Sequence, residues 1–304
     1  MKKLFIIYNE HINSRLDRWF RRNVCEIPQS LIEKSIRKGN IKVNNIKEKS
    51  SYKLKENDKI LIKKINFLEN KNIKKKQIYS ASKKEISTSS SFFIENNENF
   101  AVINKPSGIS VQSGTKSKRN IIDILRFSKE FQGCKPYVVH RIDKETSGIL
   151  IVAKNRKYAQ LFTALFRIRK IHKTYLSIVI GNLKSKKGTL EDNLIYYDDK
   201  KKIITKAVTH FSVIDSNNNY SLVKLNPVTG RKHQLRKQLL IQGCPVLGDL
   251  KYRLTESLKN KKSQLMLHAY EVKFFINNAK FIFKINPPSN FIKTLNEKYL
   301  KSYL

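Results

Sequence analysis

The chain has 304 residues, 40% of them hydrophobic, and a formal net charge of +38 from 62 basic and 24 acidic side chains. This length suffices for one sizeable core and a small extra domain, since single domains commonly run to about 100–200 residues. The charge predicts a polyanionic partner, either nucleic acid or an anionic surface, although an AT-rich genome would also raise the lysine content. No apolar run approaches the roughly 20 residues that a membrane span requires, so we expect a soluble, cytoplasmic protein.

The three cysteines predict neither a disulfide framework nor a metal site. Cys25, Cys134 and Cys244 are odd in number, widely separated and without the paired spacing of a zinc site. We therefore interpret them as reduced and structural. The sequence predicts no metal.

The N-terminal segment predicts two short helices. Leu16, Trp19 and Phe20 recur at i, i+3 and i+4, which is the stripe of an amphipathic helix with arginines on its other faces. A second helix is expected between Pro28, which opens it, and Gly39, which ends it. One face of each helix should pack and the other should be cationic.

Two predicted strands, residues 41–44 and 59–62, follow these helices. The order of helix, helix and short strands resembles the S4 RNA-binding domain, over residues 12–64. That resemblance implies that six basic side chains contact RNA phosphates, the alternative for each being a solvated basic face. The six are Arg18, Arg21, Arg22, Lys34, Arg37 and Lys38.

Residues 65–91 lack hydrophobic periodicity and include a lysine triplet at 74–76 and a serine-rich run at 87–91. Such a composition predicts a polar linker, and we place the domain boundary there. Residues 92–304 then form the second domain. It opens with predicted strands at 92–94 and 100–103, followed by a Lys-Pro-Ser-Gly turn at 105–108.

The central stretch of this domain presents one carboxylate between two strands. Tyr137 to Val139 and Ile149 to Ala153 are short, apolar and β-branched, as expected of buried strands. Asp143 lies between them, close to Arg141 and Lys144 in sequence. Neighbouring cations favour the ionised carboxylate, which could act on an electron-poor centre. The alternative is a turn aspartate in a structural ion pair.

The residues from His140 to Lys154 read His-Arg-Ile-Asp-Lys-Glu-Thr-Ser-Gly-Ile-Leu-Ile-Val-Ala-Lys. This string resembles the signature of RNA pseudouridine synthases of the RluA, RluC and RluD class. The resemblance implies that Asp143 is the catalytic residue and that Arg141 fills the space left by a flipped uridine. The turn at 105–108 is similar to the opening motif of the family, with Gln112 where a histidine is usual. We interpret Lys105 as a structural or RNA-backbone residue.

Two later stretches resemble further motifs of this family. After a predicted helix at 158–167, residues 173–176 read Lys-Thr-Tyr-Leu in a predicted strand. The resemblance implies that Tyr175 stacks on the target base and takes part in proton transfer, whereas a strand tyrosine read alone would more often be core. Residues 230–236 read Gly-Arg-Lys-His-Gln-Leu-Arg, followed by Leu-Gly-Asp at 247–249 and then Tyr252.

This third motif implies several site residues. Arg236 would pair with the catalytic carboxylate, Leu235 would pack under the floor of the site, and Arg231 and Gln234 would bind substrate. His233 is interpreted as a hydrogen-bonded structural residue, because the sequence shows no partner carboxylate at a readable spacing. Lys232, Lys237 and Gln238 depart from the family pattern. Closing strands at 272–285 and a stop at Pro287-Pro288 complete the predicted elements.

The resemblance implies an α+β fold with a mixed, mostly antiparallel sheet, helices and a central cleft, preceded by the S4 domain. The implied reaction converts uridine to pseudouridine without a cofactor, through either a covalent adduct of Asp143 or a glycal-like intermediate. The implied partner is large-subunit (23S) ribosomal RNA, as in the RluC subgroup, and we expect a monomer.

Other functions stay open at this point. A synthase acting on transfer RNA is one of them, and an S4-type ribosome-assembly factor without catalysis is another. Glycoside hydrolysis is disfavoured because it needs a second prominent carboxylate.

Overall fold

The computed structural model divides the chain into two compact units, residues 1–77 and 78–304. The structure describes residues 3–8, 11–25, 27–63, 79–113, 119–198, 201–254 and 264–301. In this part of the chain no helix is long and apolar enough to cross a bilayer.

The N-terminal unit is a three-stranded antiparallel sheet with two helices. Its elements are β1 (Lys3–Ile6), α1 (Leu16–Asn23), α2 (Gln29–Arg37), β2 (Ile41–Val43) and β3 (Lys59–Ile62), and the strand order is β1-β3-β2. Both predicted helices and both predicted strands are confirmed. Leu16, Trp19 and Phe20 are buried together, as their spacing requires. Strand β1 was not predicted, because four residues with little polar alternation carry a weak signal.

The predicted linker is wrong over its second half. Helix α3 (Lys83–Ser89) and a 3₁₀ turn (Ser90–Phe92) occupy these residues. Ser82 and Glu85 form a capping box, and Tyr79 donates its hydroxyl to Glu85 at 2.8 Å and packs against the core of the second unit. Serines that suggest a tether in sequence thus begin and line a short helix. The lysine triplet lies outside the described residues.

The second unit is built on a ten-stranded sheet in the order β4-β5-β7-β12-β8-β11-β10-β9, with β6 beside β7 and β13 beside β12. Every pairing is antiparallel except β7 with β12, so the predicted mixed, mostly antiparallel α+β fold is confirmed. The elements are β4 (Phe93–Asn96), β5 (Phe100–Lys105), α4 (Ile121–Leu125), β6 (Tyr137–Val138), β7 (Ser147–Ala153), α5 (Arg156–Arg167), β8 (His172–Ile180), β9 (Lys187–Asp198), β10 (Lys201–Ser216), β11 (Tyr220–Pro227), α6 (Gln234–Ile241), β12 (Leu267–Ile276), β13 (Ala279–Lys284) and α7 (Ser289–Glu297).

Strand β7 is an interior strand of this sheet, between β5 and β12, and all seven of its residues are buried. Gly148 near its start has φ +104°, and a Cβ there would collide with the backbone of Ala269 on β12. Only glycine permits this approach. Because of this close contact, β7 and β12 pair in parallel directly after the loop that carries Asp143.

The closing strands predicted at 272–285 are present as β12 and β13, which end before Pro287, but helix α7 after Pro288 was not predicted. A proline just before a helix leaves no intrahelical hydrogen bond unmade, so the same residue can end one element and begin the next. Phe291 and Leu295 of α7 pack on Leu176 and Leu222 of the sheet. This helix therefore covers one face of the strand that carries Tyr175.

Candidate active site

The loop between β6 and β7 presents Asp143 and is fixed at its base by His140. The Nε2 atom of His140 accepts a hydrogen bond from the backbone N–H of Ile151 at 2.8 Å, and the imidazole stacks on Phe166 at 4.6 Å. Burial, with a smaller effect of Lys173, lowers the pKa of His140 to about 3. The ring is therefore neutral at physiological pH, and it anchors the loop to β7.

A second anchor is Lys105, which is fully buried. Its Nζ donates to the carbonyl oxygens of Pro106 at 2.7 Å, Ile109 at 2.9 Å and Lys144 at 3.1 Å. The backbone N–H of Gly108 also donates to the carbonyl of Lys144 at 2.9 Å. The turn at 105–108 thus holds Lys144, the residue that follows Asp143, in place. Lys105 has the contacts of a structural residue, which is one of the two roles that the sequence left open for it.

Burial lowers the pKa of Lys105 to about 7, against the opposing attraction of Glu145 and Asp143.

Asp143 faces a cavity of about 760 Å³. Every residue that the sequence placed at the active site lines this cavity: Arg141, Asp143, Tyr175, Arg231, Gln234, Leu235 and Arg236. They come from the β6–β7 loop, from β8 and from the start of α6. Residues from distant parts of the sequence therefore converge on one carboxylate.

Arg236 joins two carboxylates. Its Nη1 donates to Oδ2 of Asp143 at 3.2 Å, while Nε and Nη2 donate to the two oxygens of Asp249 at 2.6 and 2.7 Å. Although burial opposes ionisation of Asp249, the hydrogen bonds from Arg236 and from backbone N–H groups lower the pKa of its carboxyl. The sequence predicts that Arg236 pairs with Asp143, and in the structure this pairing is one hydrogen bond. The guanidinium makes its two-point contact with Asp249 instead.

Tyr175 lies on β8, opposite Ala269 of β12 and Leu225 of β11. Burial, and to a lesser extent the negative charge of Asp143, raises the pKa of its phenol. The hydroxyl therefore stays protonated at neutral pH. It can act in this cavity as a hydrogen-bond or proton donor.

The four predicted substrate-binding residues differ in what they leave free for a ligand. Arg141 is exposed at the cavity, and Leu235 is almost fully buried in its wall. Arg231 is exposed and donates from Nε to the carbonyl of Lys206 at 3.1 Å. Gln234 is buried, and its side chain bonds only within the protein.

The amide of Gln234 is surrounded by protein partners. Its oxygen accepts from the hydroxyl of Thr229 at 2.7 Å and from the N–H of Arg231 at 3.0 Å. Its nitrogen donates to the carbonyl of Val208 at 3.1 Å and to the hydroxyl of Thr209 at 2.9 Å. These bonds use the amide's two donors and both lone pairs of its oxygen. Gln234 is thus arranged to hold the turn before α6 against β10.

Sequence reasoning missed three participants. Asp249 and Tyr252 were part of a recognised motif but had no assigned role, and the tertiary contacts with Arg236 and His233 supply one. Lys173 lines the cavity two residues before Tyr175, and burial lowers its pKa. Lys173 also opens the recognised Lys-Thr-Tyr-Leu stretch, where only Tyr175 had been given a role. Within the described residues, no three His, Cys, Asp or Glu side chains are grouped to hold a metal.

The six predicted RNA contacts all lie on α1, on α2 or at the end of α2 in the N-terminal unit. Five of them are exposed, namely Arg18, Arg22, Lys34, Arg37 and Lys38, and Arg21 is half-buried. Their apolar neighbours form the core of this unit. The helices therefore present a cationic outer surface, as amphipathic spacing predicts.

Comparisons with known proteins indicate the family of this chain. Residues 99–240 match the family described as RNA pseudouridylate synthase. The chain is 33% identical over 284 residues to a Rickettsia felis protein named "Ribosomal large subunit pseudouridine synthase C", covering 88% of this chain and 91% of that protein. A Buchnera aphidicola protein of the same name is 32% identical over 294 residues and covers 91% of both chains.

A solved structure of "Human RNA Pseudouridylate Synthase Domain Containing 4" superposes with a TM-score of 0.61 at 26% identity, covering 71% of this chain and 96% of that one. The fold and these matches thus define an RNA pseudouridine synthase. Within that class, the chain belongs to the RluA family of RNA pseudouridine synthases. The alternative of a ribosome-assembly factor without catalysis is thereby set aside.

Proposed function

We propose that this enzyme converts uridine to pseudouridine in large-subunit (23S) ribosomal RNA and that Asp143 acts at C1′ of the target nucleotide. The observation that carries the assignment is the contact of Asp143 with Arg236 at 3.2 Å inside a cavity that also holds Tyr175. A carboxylate oriented by a hydrogen bond from an arginine can stabilise positive charge at C1′ or form a bond there.

The chemistry requires breaking the bond between C1′ and N1, turning the freed uracil, and joining its C5 to C1′. Nothing is oxidised and no group leaves, so the reaction needs no cofactor. Tyr175 is suited to stack on the uracil and to take part in proton transfer, and Leu235 to close the floor beneath it. Arg236 orients Asp143 through its contact at 3.2 Å, and we assign it to the catalytic group for that reason.

The target uridine has to leave its helix to reach Asp143. Arg141 is exposed at the cavity and is suited to fill the vacated space. Arg231 can contact a phosphate. For Gln234 we propose a positioning role through its four hydrogen bonds, in place of direct substrate contact.

The choice of ribosomal RNA over transfer RNA rests on the relatives. The Rickettsia and Buchnera proteins named for the large ribosomal subunit align along about nine-tenths of the chain, so each alignment extends into the N-terminal unit. We propose that this unit is an S4 RNA-binding domain whose outer cations contact phosphates. We further propose that the enzyme works as a monomer in the cytoplasm.

Mapping of pseudouridines by carbodiimide modification and primer extension tests this proposal. In a strain that lacks the gene, specific large-subunit rRNA positions should lose their signal and regain it when the gene is restored. Unchanged large-subunit rRNA together with altered transfer RNA would instead support the alternative substrate.

A further inference from the structure

Asp143 has a charged or polar neighbour at each of its two oxygens. Arg236 Nη1 contacts Oδ2 at 3.2 Å, and Nε2 of His233 lies 3.9 Å from Oδ1. His233 lines the same cavity. The imidazole therefore faces the oxygen that the guanidinium leaves open.

The backbone of His233 is in an uncommon conformation. The residue has φ 54° and ψ 32°, in the left-handed region, immediately before helix α6. Residues other than glycine adopt this conformation at some cost, although asparagine, aspartate and histidine do so more often than the rest, and the surrounding structure has to compensate for the strain. The turn thus directs this side chain toward Asp143 at a conformational cost.

Tyr252 contacts the nitrogen of His233 that faces away from Asp143. Its hydroxyl lies 2.9 Å from Nδ1, and the two rings meet edge to face at 5.4 Å. If the hydroxyl donates to Nδ1, the hydrogen of a neutral imidazole is on Nε2 and points at the carboxylate. The opposite tautomer would turn a lone pair toward an anion.

The imidazole is neutral at physiological pH. Burial lowers the pKa of His233, Asp143 opposes this, and the positive charges of Arg236, Lys251 and Lys232 lower it further. A neutral ring has a single N–H, so its orientation depends on the partner at the other nitrogen.

Asp249 ties this arrangement to Arg236. Its Oδ1 accepts from Nη2 of Arg236 at 2.7 Å and from the backbone N–H of Tyr252 at 2.9 Å. The guanidinium of Arg236 also lies over the ring of Tyr252 at 5.0 Å. One buried carboxylate therefore contacts Arg236 directly and also holds the backbone of Tyr252, whose hydroxyl contacts His233.

We propose that His233 is a positioning residue for Asp143, donating from Nε2 to Oδ1 in the RNA complex, and that Tyr252 sets the tautomer this requires. The proposal rests on the proposed role of Asp143. The separation of 3.9 Å exceeds a hydrogen bond, but contacts of this kind commonly tighten when substrate is bound. Arg236 and His233 then hold one oxygen each, so the carboxylate cannot rotate away from C1′.

Two amide substitutions separate the nitrogens of His233. The amide of Gln in H233Q reaches the position of Nε2 and can donate to Asp143, whereas that of Asn in H233N reaches only the position of Nδ1 and retains the contact with Tyr252. Asparagine also tolerates the left-handed conformation better than histidine. A loss of rate in H233N would therefore not come from backbone strain.

The assay is the single-turnover rate of tritium release from C5-labelled uridine in large-subunit rRNA at saturating enzyme, with RNA affinity and melting temperature measured alongside. We expect H233N to lose about 10-fold to 100-fold in rate, the range of a hydrogen bond to a charged group. H233Q should stay within about 3-fold of the native rate. RNA affinity should not change in either variant. Y252F should slow the native enzyme but have no further effect when combined with H233Q.

The proposal is overturned if H233N reacts at the native rate, or if H233Q is as slow as H233N while both melt like the native protein. If H233Q melts early, Y252F decides, and a native rate for Y252F rejects the assignment. Asp143→Asn is measured in parallel. Activity in that variant would reject the proposed function itself, whereas an inactive Asp143→Asn with an active H233N rejects only the role of His233.

Discussion

Arg236 and Asp249 form a buried two-point ion pair at 2.6 and 2.7 Å, and both side chains are at most a tenth exposed. Asp143 receives only the third nitrogen of the same guanidinium. Asp249 therefore neutralises and orients the arginine, and Asp143 keeps enough freedom and exposure to meet a substrate. Arg236 can therefore stabilise the fold through Asp249 and, in the proposed mechanism, orient Asp143.

Breaking this ion pair should affect stability as well as rate. Asp249→Asn leaves a buried guanidinium with less compensation, and we expect the free energy of unfolding to fall by about 3–5 kcal/mol. Arg236→Lys should also be harmful, since an ammonium cannot make the planar two-point contact. Urea denaturation measures the free energy of unfolding of both variants. The control is Glu191→Gln, which removes an exposed ion pair with Lys206 and should change stability by less than about 1 kcal/mol.

Asp143→Asn keeps the shape of the side chain and removes its charge. Tritium release from C5-labelled uridine under single-turnover conditions should fall at least about 1,000-fold, while RNA affinity changes little or rises slightly. Adding Arg236→Lys should cause no further loss of rate, because both residues act in one step. The matched control is Glu145→Gln, an exposed carboxylate two residues away that should remain active. Release near the native level by Asp143→Asn would reject the assignment.

Tyr175→Phe tests the hydroxyl separately from the ring. The ring should still stack on the base, so RNA affinity should hold, while loss of the proton donor should slow the reaction by about 100-fold to 10,000-fold. Because burial and Asp143 raise the pKa of Tyr175, its ionisation should not affect the native rate between pH 7 and 9. A Phe variant that reacts at the native rate would limit Tyr175 to stacking.

Lys105 should contribute to stability in a pH-dependent way. Lys105→Met leaves three carbonyls without their donor, and we expect a loss of about 2–5 kcal/mol in the free energy of unfolding. The pKa of Lys105 is about 7 in the folded protein against a reference value of 10.5, so between these values the unfolded chain binds more protons. The stability that Lys105 contributes should thus rise with pH across this interval.

Denaturation of the native and Lys105→Met proteins at pH 7 and pH 9.5 gives the free energy of unfolding of each. The difference between the two proteins at one pH is the contribution of Lys105. The exposed Lys144 is the control, and Lys144→Met should show no such trend. A difference between native and Lys105→Met proteins that shrinks with pH would contradict the assigned direction.

The cations of the N-terminal helices should affect binding and leave chemistry unchanged. Neutralising Arg18, Arg22, Arg37 and Lys38 together should weaken rRNA capture, and each lost phosphate contact should reduce the slope of log affinity against log salt by roughly 0.7–0.9. The single-turnover rate at saturating enzyme should hold, since phosphate contacts position the RNA.

The control neutralises four other exposed lysines of the same unit, Lys47, Lys49, Lys53 and Lys55, which changes the charge equally. Equal weakening by both sets would mean that net charge alone accounts for binding. A collapse of turnover at unchanged affinity in the first set would contradict the division of labour between the units.

Local sequence determined much of the fold. The helix α1 followed from the spacing of Leu16, Trp19 and Phe20, and β7 from its run of β-branched residues, because periodicity and burial are encoded within a few consecutive positions. The contiguous motif around Asp143 was sufficient to indicate the family. Helix α3 was missed because serines have weak helix propensity, and α7 because a double proline resembles a stop.

Only the tertiary structure decided which charges meet. The string from Gly230 to Arg236 predicts that Arg236 pairs with a carboxylate, but not that Asp249 takes two of its nitrogens. It likewise gives no sign that His233 faces Asp143 across 90 residues of sequence, or that the amide of Gln234 is fully used inside the protein. Hydrogen bonds and ion pairs depend on distances of a few tenths of an ångström between segments far apart in the chain. Those distances are set by how the sheet and its loops pack, and no local pattern of residues contains them.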